Sequence, residues 1–378
     1  MTLAVAQRIG VGDVRLSDKA KANVIDALNN NRLAYGPWTR KFEQEFAALQ
    51  HHRFACFMNS GTSALQIALA ALKERYGWKD GDRVLVPALT FVASLNVVLS
   101  NRLTPVLVDV DPDFYDMDVY AIPQGKDAAV AMLPVSLFGQ PHNDQLSEVA
   151  RLRKWKVLHD SCETMFVEQR PADVTAYSTY SAHLLNTGVG GFACTDDPDL
   201  ARLIRSLANH GRSGIYTSID QDLGSKEVMD ARFTFERLGY SYRATELEAA
   251  LGCAELDQWE SNLAARRRHA AVLAEALSGL PLQLPQTRVA GQHAFMMWPI
   301  VCDDGVDRDA LTQHLEANGI ETRLMLPLTS QPYVRALFPG PYPVADRINR
   351  QGFYVGCHQH LTVEDLAHMR RVFRAYFN

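Results

Sequence analysis

The sequence predicts an α/β protein in two unequal parts. A large domain on a mostly parallel sheet spans residues 1–255, and a smaller α+β domain spans 256–378. Three observations predict this. Between about residues 54 and 210, short apolar runs alternate with amphipathic stretches. Around 245–277 the pattern becomes long and helical, and after Pro281 and Pro285 the composition shifts. The 378 residues suffice for two domains at roughly 100–200 residues each.

Residues 83–87, 105–109, 128–133 and 156–159 are rich in Val, Leu and Ala and read as buried strands. Residues 62–73 and 143–155 carry helical periodicity between them. Strands alternating with helices form βαβ units, with helices on both faces of a parallel sheet. Ligands bind such sheets at the carboxyl ends of the strands. Farther on, 296–301 reads as a strand, 308–318 as a helix and 363–377 as a closing helix.

Composition removes several function classes. Apolar residues are 47% and charged residues 21%, as in an ordered globular protein. A net charge of -5, from 38 basic and 43 acidic residues, lacks the footprint of a nucleic-acid binder. No run of about 18 apolar residues offers a membrane span. Residues 1–15, with Arg8, Asp13 and Arg15, lack a signal-peptide pattern, so a cytoplasmic protein is expected. The six cysteines are scattered with no CxxC pair, as expected of reduced thiols rather than a metal site. Arg266-Arg-Arg268 reads as a solvated helix face, and Cys357-His-Gln-His360, with only loose metal-ligand spacing, as plain surface rather than a metal site.

Four segments carry chemistry. Asn59-Ser-Gly-Thr-Ser-Ala-Leu65 opens a helix after an apolar run. Gly61 would let an anion approach free N–H groups, or Ser60 or Thr62 would simply cap the helix. Asp160 stands at a strand end, where it would accept a proton from a ring nitrogen or cap a following helix. Phe91 follows another strand end, free to stack on a flat ligand or to fill the core. His183 and Ser178 precede Asn186-Thr-Gly-Val-Gly-Gly191, a glycine turn that would serve a site or just join two strands.

Together these segments resemble the fold-type I pyridoxal phosphate enzymes, which have an aspartate aminotransferase-like fold. More closely, the chain resembles the DegT/DnrJ/EryC1/StrS family of sugar aminotransferases and dehydratases. The resemblance also rests on Gly36-Pro-Trp-Thr-Arg-Lys-Phe-Glu43, Thr90-Phe91, Leu137-Phe-Gly-Gln140, Gly239-Tyr-Ser-Tyr-Arg243, Thr245-Glu-Leu-Glu-Ala-Ala250 and Gly319-Ile-Glu-Thr-Arg323. It implies that Gly61, Thr62 and Ser178 hold the cofactor phosphate and that Phe91 stacks on its ring. Asp160 would pair with the ring nitrogen, Glu163 would lie near the 3-hydroxyl, and Ser241 would belong to the segment reaching a partner subunit's phosphate site. It also implies a homodimer, with Tyr35, Arg243 and Arg323 in the regions that meet substrate.

The family pattern places its Schiff-base lysine five residues after the Ser178 position, where this chain has His183. No lysine lies between Lys156 and Lys226, and Lys226 reads as a solvated surface residue. A histidine at this position marks the family's 3-dehydratase branch. Those enzymes use pyridoxamine phosphate, with histidine moving the proton. The resemblance therefore implies C3 dehydration of a nucleotide-linked 4-keto-6-deoxy sugar, with an amino donor such as glutamate. Leu184, Val189, Ser241 and Arg243 depart from the dehydratase pattern. Lysine-less transamination, or a non-catalytic cofactor-binding protein, stays open on the residues alone.

Overall fold

The computed structural model describes residues 8–125, 128–212, 226–231 and 233–378. The first sheet contains β1 (Phe54–Met58), β2 (Arg83–Pro87), β3 (Thr104–Val108), β4 (Ala131–Met132), β5 (Lys156–Asp160), β6 (Val174–Ser178) and β7 (Gly191–Thr195). Their spatial order is β1-β7-β6-β5-β4-β2-β3. The run from β3 through β6 is parallel, and β7 is antiparallel to both β6 and β1. The expected strands at 83–87 and 156–159 coincide with β2 and β5, whereas 128–133 shrinks to the two residues of β4.

The helix Gly61–Tyr76 packs on this sheet. Ser60 caps its start and Gly77, at φ 66°, closes its end. Leu65, Ile67, Leu69 and Leu72 of this helix are fully buried, in one core with Phe42, Phe46, Phe57 and Phe192. Phe46 and Phe192 stack with ring centroids 3.9 Å apart.

The second sheet is antiparallel, with order β10-β11-β9-β8. Its strands are β8 (Leu282–Gln283), β9 (Met297–Cys302), β10 (Thr322–Leu324) and β11 (Gly352–Gly356). The helices Arg308–Ala317 and Val363–Phe377 close a second core around Trp298, Phe353 and Phe373. Ile9 joins this core, and its N–H donates to the Gly319 carbonyl at 2.8 Å. A domain division near residue 255 is our proposal.

Two expectations are corrected. The helical stretch at 245–277 is two helices, Glu246–Leu256 and Trp259–Leu277, broken at Asp257 and Gln258. Arg266 is not solvated but 2% exposed. It shares the inner side of its helix with Leu263, Ala270 and Leu273, and its Nη1 donates to the carbonyls of Phe295 and Met296, while its Nε has no partner. All six cysteines are free thiols. Among the described residues, no helix is long and apolar enough to cross a membrane. Much of the stretch 212–240 lies outside the described residues.

Candidate active site

The ends of β5 and β6 and the start of one helix meet at a cavity of about 410 Å³. Ser60 Oγ accepts the Ser63 N–H at 3.0 Å, so the capping reading holds for Ser60. Gly61 and Thr62 line the cavity with first-turn N–H groups that have no helical acceptor. Closeness requires glycine at 61: a Cβ there would lie 2.7 Å from Ser178 Cβ and 2.9 Å from Cys162 Sγ. The glycine turn packs against this same point, since a Cβ at Gly191 would lie 2.5 Å from the Gly61 nitrogen.

Asp160 ends β5, buried. Ser94 Oγ donates to its Oδ2 at 2.7 Å and the Cys162 N–H to its Oδ1 at 3.1 Å. Burial pushes the Asp160 carboxyl up, and these donors pull it back. A turn, not a helix, follows Asp160, so it caps nothing. Phe91 is 57% exposed on the cavity wall, which excludes the core reading. Ser178, at the end of β6, lines the wall beside Gly61.

His183 completes the wall with a fixed tautomer. Its Nδ1 lies 2.7 Å from the Cys162 carbonyl oxygen, which can only accept, so Nδ1 carries the proton. The neutral ring therefore keeps its lone pair on Nε2. Burial lowers the His183 pKa to about 4, against upward pulls from the Cys162 and Ser178 backbone. Glu163 Oε2 accepts the Phe138 N–H at 2.8 Å, with Phe138 held at φ 57°. Burial pushes Glu163 up to about 7; the Phe138 bond opposes this and the nearby Asp160 charge adds to it. The usual order of histidine and glutamate is thus reversed in this cavity. No lysine among the described residues lines it. Lys226 is exposed and pairs with Asp230 at 2.6 Å.

Seven of the residues singled out from the sequence therefore converge: Gly61, Thr62, Phe91, Asp160, Glu163, Ser178 and His183. Four do not line the cavity. Tyr35 donates its hydroxyl to Glu43 at 2.9 Å and accepts from Arg205 at 3.2 Å. Ser241 and Arg243 are exposed, and Arg243 Nη2 donates to Ser241 Oγ at 3.0 Å. Their backbone runs alongside the site, where Tyr242 O accepts the Asn59 N–H at 2.9 Å. Arg323 is exposed and paired with Glu321, in register with the cavity residue Tyr354. His358 is buried away from the cavity, and among the described residues no cluster could hold a metal. Sequence reading missed Ser94 and Tyr354. The spacing of Thr90 and Ser94, whose hydroxyls lie 2.8 Å apart, was a usable signal for the first. Nothing local marks Tyr354, which arrives from the second sheet.

The model of the DegT/DnrJ/EryC1/StrS aminotransferase family matches residues 15–374. The chain is 30% identical over 377 residues to the GDP-perosamine synthase of Caulobacter vibrioides, covering 95% of each. It is 32% identical to the dTDP-4-dehydro-2,6-dideoxy-D-glucose 3-dehydratase of Saccharopolyspora spinosa, covering 92% of this chain and 82% of that one. Among solved structures, E. coli GDP-4-keto-6-deoxy-D-mannose-3-dehydratase with bound hydrated PLP superposes with a TM-score of 0.88. That match covers 97% of this chain and 100% of the other at 22% identity, and it bears out the expected fold.

Proposed function

The chain belongs to the DegT/DnrJ/EryC1/StrS aminotransferase family, and we propose that it is a pyridoxamine phosphate-dependent enzyme removing the C3 hydroxyl of a nucleotide-linked 4-keto-6-deoxy sugar. A homodimer using an amino donor such as glutamate is part of the same reading. One observation carries it: the cavity wall presents a tautomer-fixed histidine and, among the described residues, no lysine.

The residues fit the cofactor. The cradle that only glycine fills at 61, with the free N–H groups of Gly61 and Thr62 and the hydroxyl of Ser178, suits a phosphate. Asp160, held by two donors, would accept from the ring nitrogen, and the exposed face of Phe91 would take the ring. Bound there, the cofactor supplies an electron sink. His183 Nε2 accepts the proton that leaves carbon, while Nδ1–H stays on Cys162 O and fixes the ring plane. A bound anion beside His183 would raise its pKa from about 4 toward the working range of a base. Glu163 stands on the same wall as a proton holder, and Leu137, Met296 and Leu326 keep that wall apolar.

The test is product analysis after incubation with pyridoxamine phosphate, glutamate and a GDP- or dTDP-linked 4-keto-6-deoxyhexose. The expected product is the 3-deoxy keto-sugar, with ammonia and 2-oxoglutarate. An amino sugar without ammonia would establish transamination instead, and cofactor binding without turnover would leave a non-catalytic role.

A further inference from the structure

A second cavity lies on the opposite face of the strands that carry the first. Side chains alternate along a strand, so His159 and Tyr177 point away from Asp160 and Ser178. They belong to the lining of a cavity of about 610 Å³, walled also by Gln50, Phe166, Trp259 and Arg267. The two cavities share no lining residue.

Its polar groups are incompletely satisfied. His159 is 0% exposed, and its Nε2 is occupied by Ser136 Oγ at 2.7 Å and His142 Nδ1 at 3.0 Å. Its Nδ1 has no partner. Gln50 is 8% exposed; its Oε1 accepts the Phe166 N–H at 3.3 Å, while its Nε2 has no partner. Buried polar atoms are rarely left this way. Arg267 donates only to the carbonyls of His293 and Gly291, and no carboxylate pairs with it among the described residues. Phe166 is held at φ 61°, a left-handed conformation uncommon outside glycine, with its ring stacked on Trp259 at 5.1 Å.

We propose that this cavity is a binding site for a small monocarboxylate with an aromatic body. Arg267 and the Gln50 amide supply donors for the carboxylate, and the Phe166–Trp259 pair supplies the flat apolar wall. The other charges limit the ligand to one negative charge. Glu168 and Asp196 also line the cavity, and Arg170 is already paired with Asp144 at 2.9 Å. A polyphosphate would meet those carboxylates.

Phenylacetate is the probe and phenylacetamide its uncharged control. Protein saturated with pyridoxamine phosphate, which fills the catalytic cavity, is titrated with each by calorimetry. Phenylacetate is expected to bind saturably with a millimolar or tighter Kd, and phenylacetamide about tenfold more weakly or worse. Arg267→Gln is expected to abolish the preference for charge. Because Arg267 also ties the loop at Gly291, Gln50→Leu and Trp259→Leu serve as second variants, each weakening phenylacetate about fivefold or more at an unchanged melting temperature. His183→Asn should leave this binding unchanged. The proposal is overturned by the absence of saturable binding, by equal binding of acid and amide, or by binding that His183→Asn removes and Gln50→Leu does not.

Discussion

Glu163 shows how much one carboxyl depends on its surroundings. It sits in an apolar wall with one backbone donor, Phe138, and burial pushes it up to about 7 from an ordinary 4.5. The folded chain therefore holds this proton more tightly than the unfolded one. Its contribution to stability is full below pH 4.5 and is lost as pH rises through 7. Glu163→Gln keeps the shape and removes the charge. The variant should gain on the wild type as pH rises from 5 to 9, by up to about 3 kcal/mol. Parallel melting curves at the two pH values would refute this assignment. At this scale Gly61, Asp160 and Ser178 were legible in the sequence because a strand end or helix start exposes a residue in a way that local pattern reveals. Tyr35, Ser241, Arg243 and Arg323 lie outside the cavity lining, and their partners Glu43, His210 and Glu321 are set by tertiary packing that local pattern does not reveal.

Among the elements, the helix Glu246–Leu256 does two jobs. Thr245 and Glu248 form its capping box. Glu246 is buried and reaches back to the start of another helix, Pro37–Leu49, whose N-cap Gly36 offers no side chain. Its carboxylate accepts the N–H groups of Gly36, Trp38 and Thr39 at 2.8 to 2.9 Å. These are donors that the helix itself cannot satisfy. Glu246→Ala should cost about 2–4 kcal/mol in urea unfolding, since it leaves three N–H groups unpaired, two of them buried. A loss under about 1 kcal/mol would mean that water replaces the carboxylate without penalty. The periodicity around residue 246 announced a helix, but not that its first acidic residue caps a helix some 200 residues earlier in the chain. Likewise Arg266 looked solvated in sequence because a charge run gives no hint of the carbonyls waiting in the fold.

For the whole molecule, the parallel strands were readable because a strand covered on both faces is apolar throughout. The reversal of β7 was not, because direction is decided by pairing across the sheet. Buried histidines give the assembled fold a common sensitivity. Burial holds His142, His183 and His358 to about 4 and His293 to about 3, all below the ordinary 6.5. The unfolded chain binds protons at these sites first, so stability should fall as pH drops from 6.5 toward 4. Glu163 and Glu255, both pushed up to about 7 by burial, act in the opposite sense and are outweighed. The melting temperature should therefore decline across that window, and a flat or rising curve would show that these histidines are open to solvent.

We propose that His183 stands where a lysine would otherwise hold the cofactor covalently. This proposal is tested most directly by loading the protein with pyridoxal phosphate, reducing with borohydride and mapping the peptides by mass. The expected result is tight cofactor retention before reduction and no phosphopyridoxyl group on any lysine. A reduced adduct on Lys226, or on any other lysine, would contradict it and restore a lysine-based transaminase.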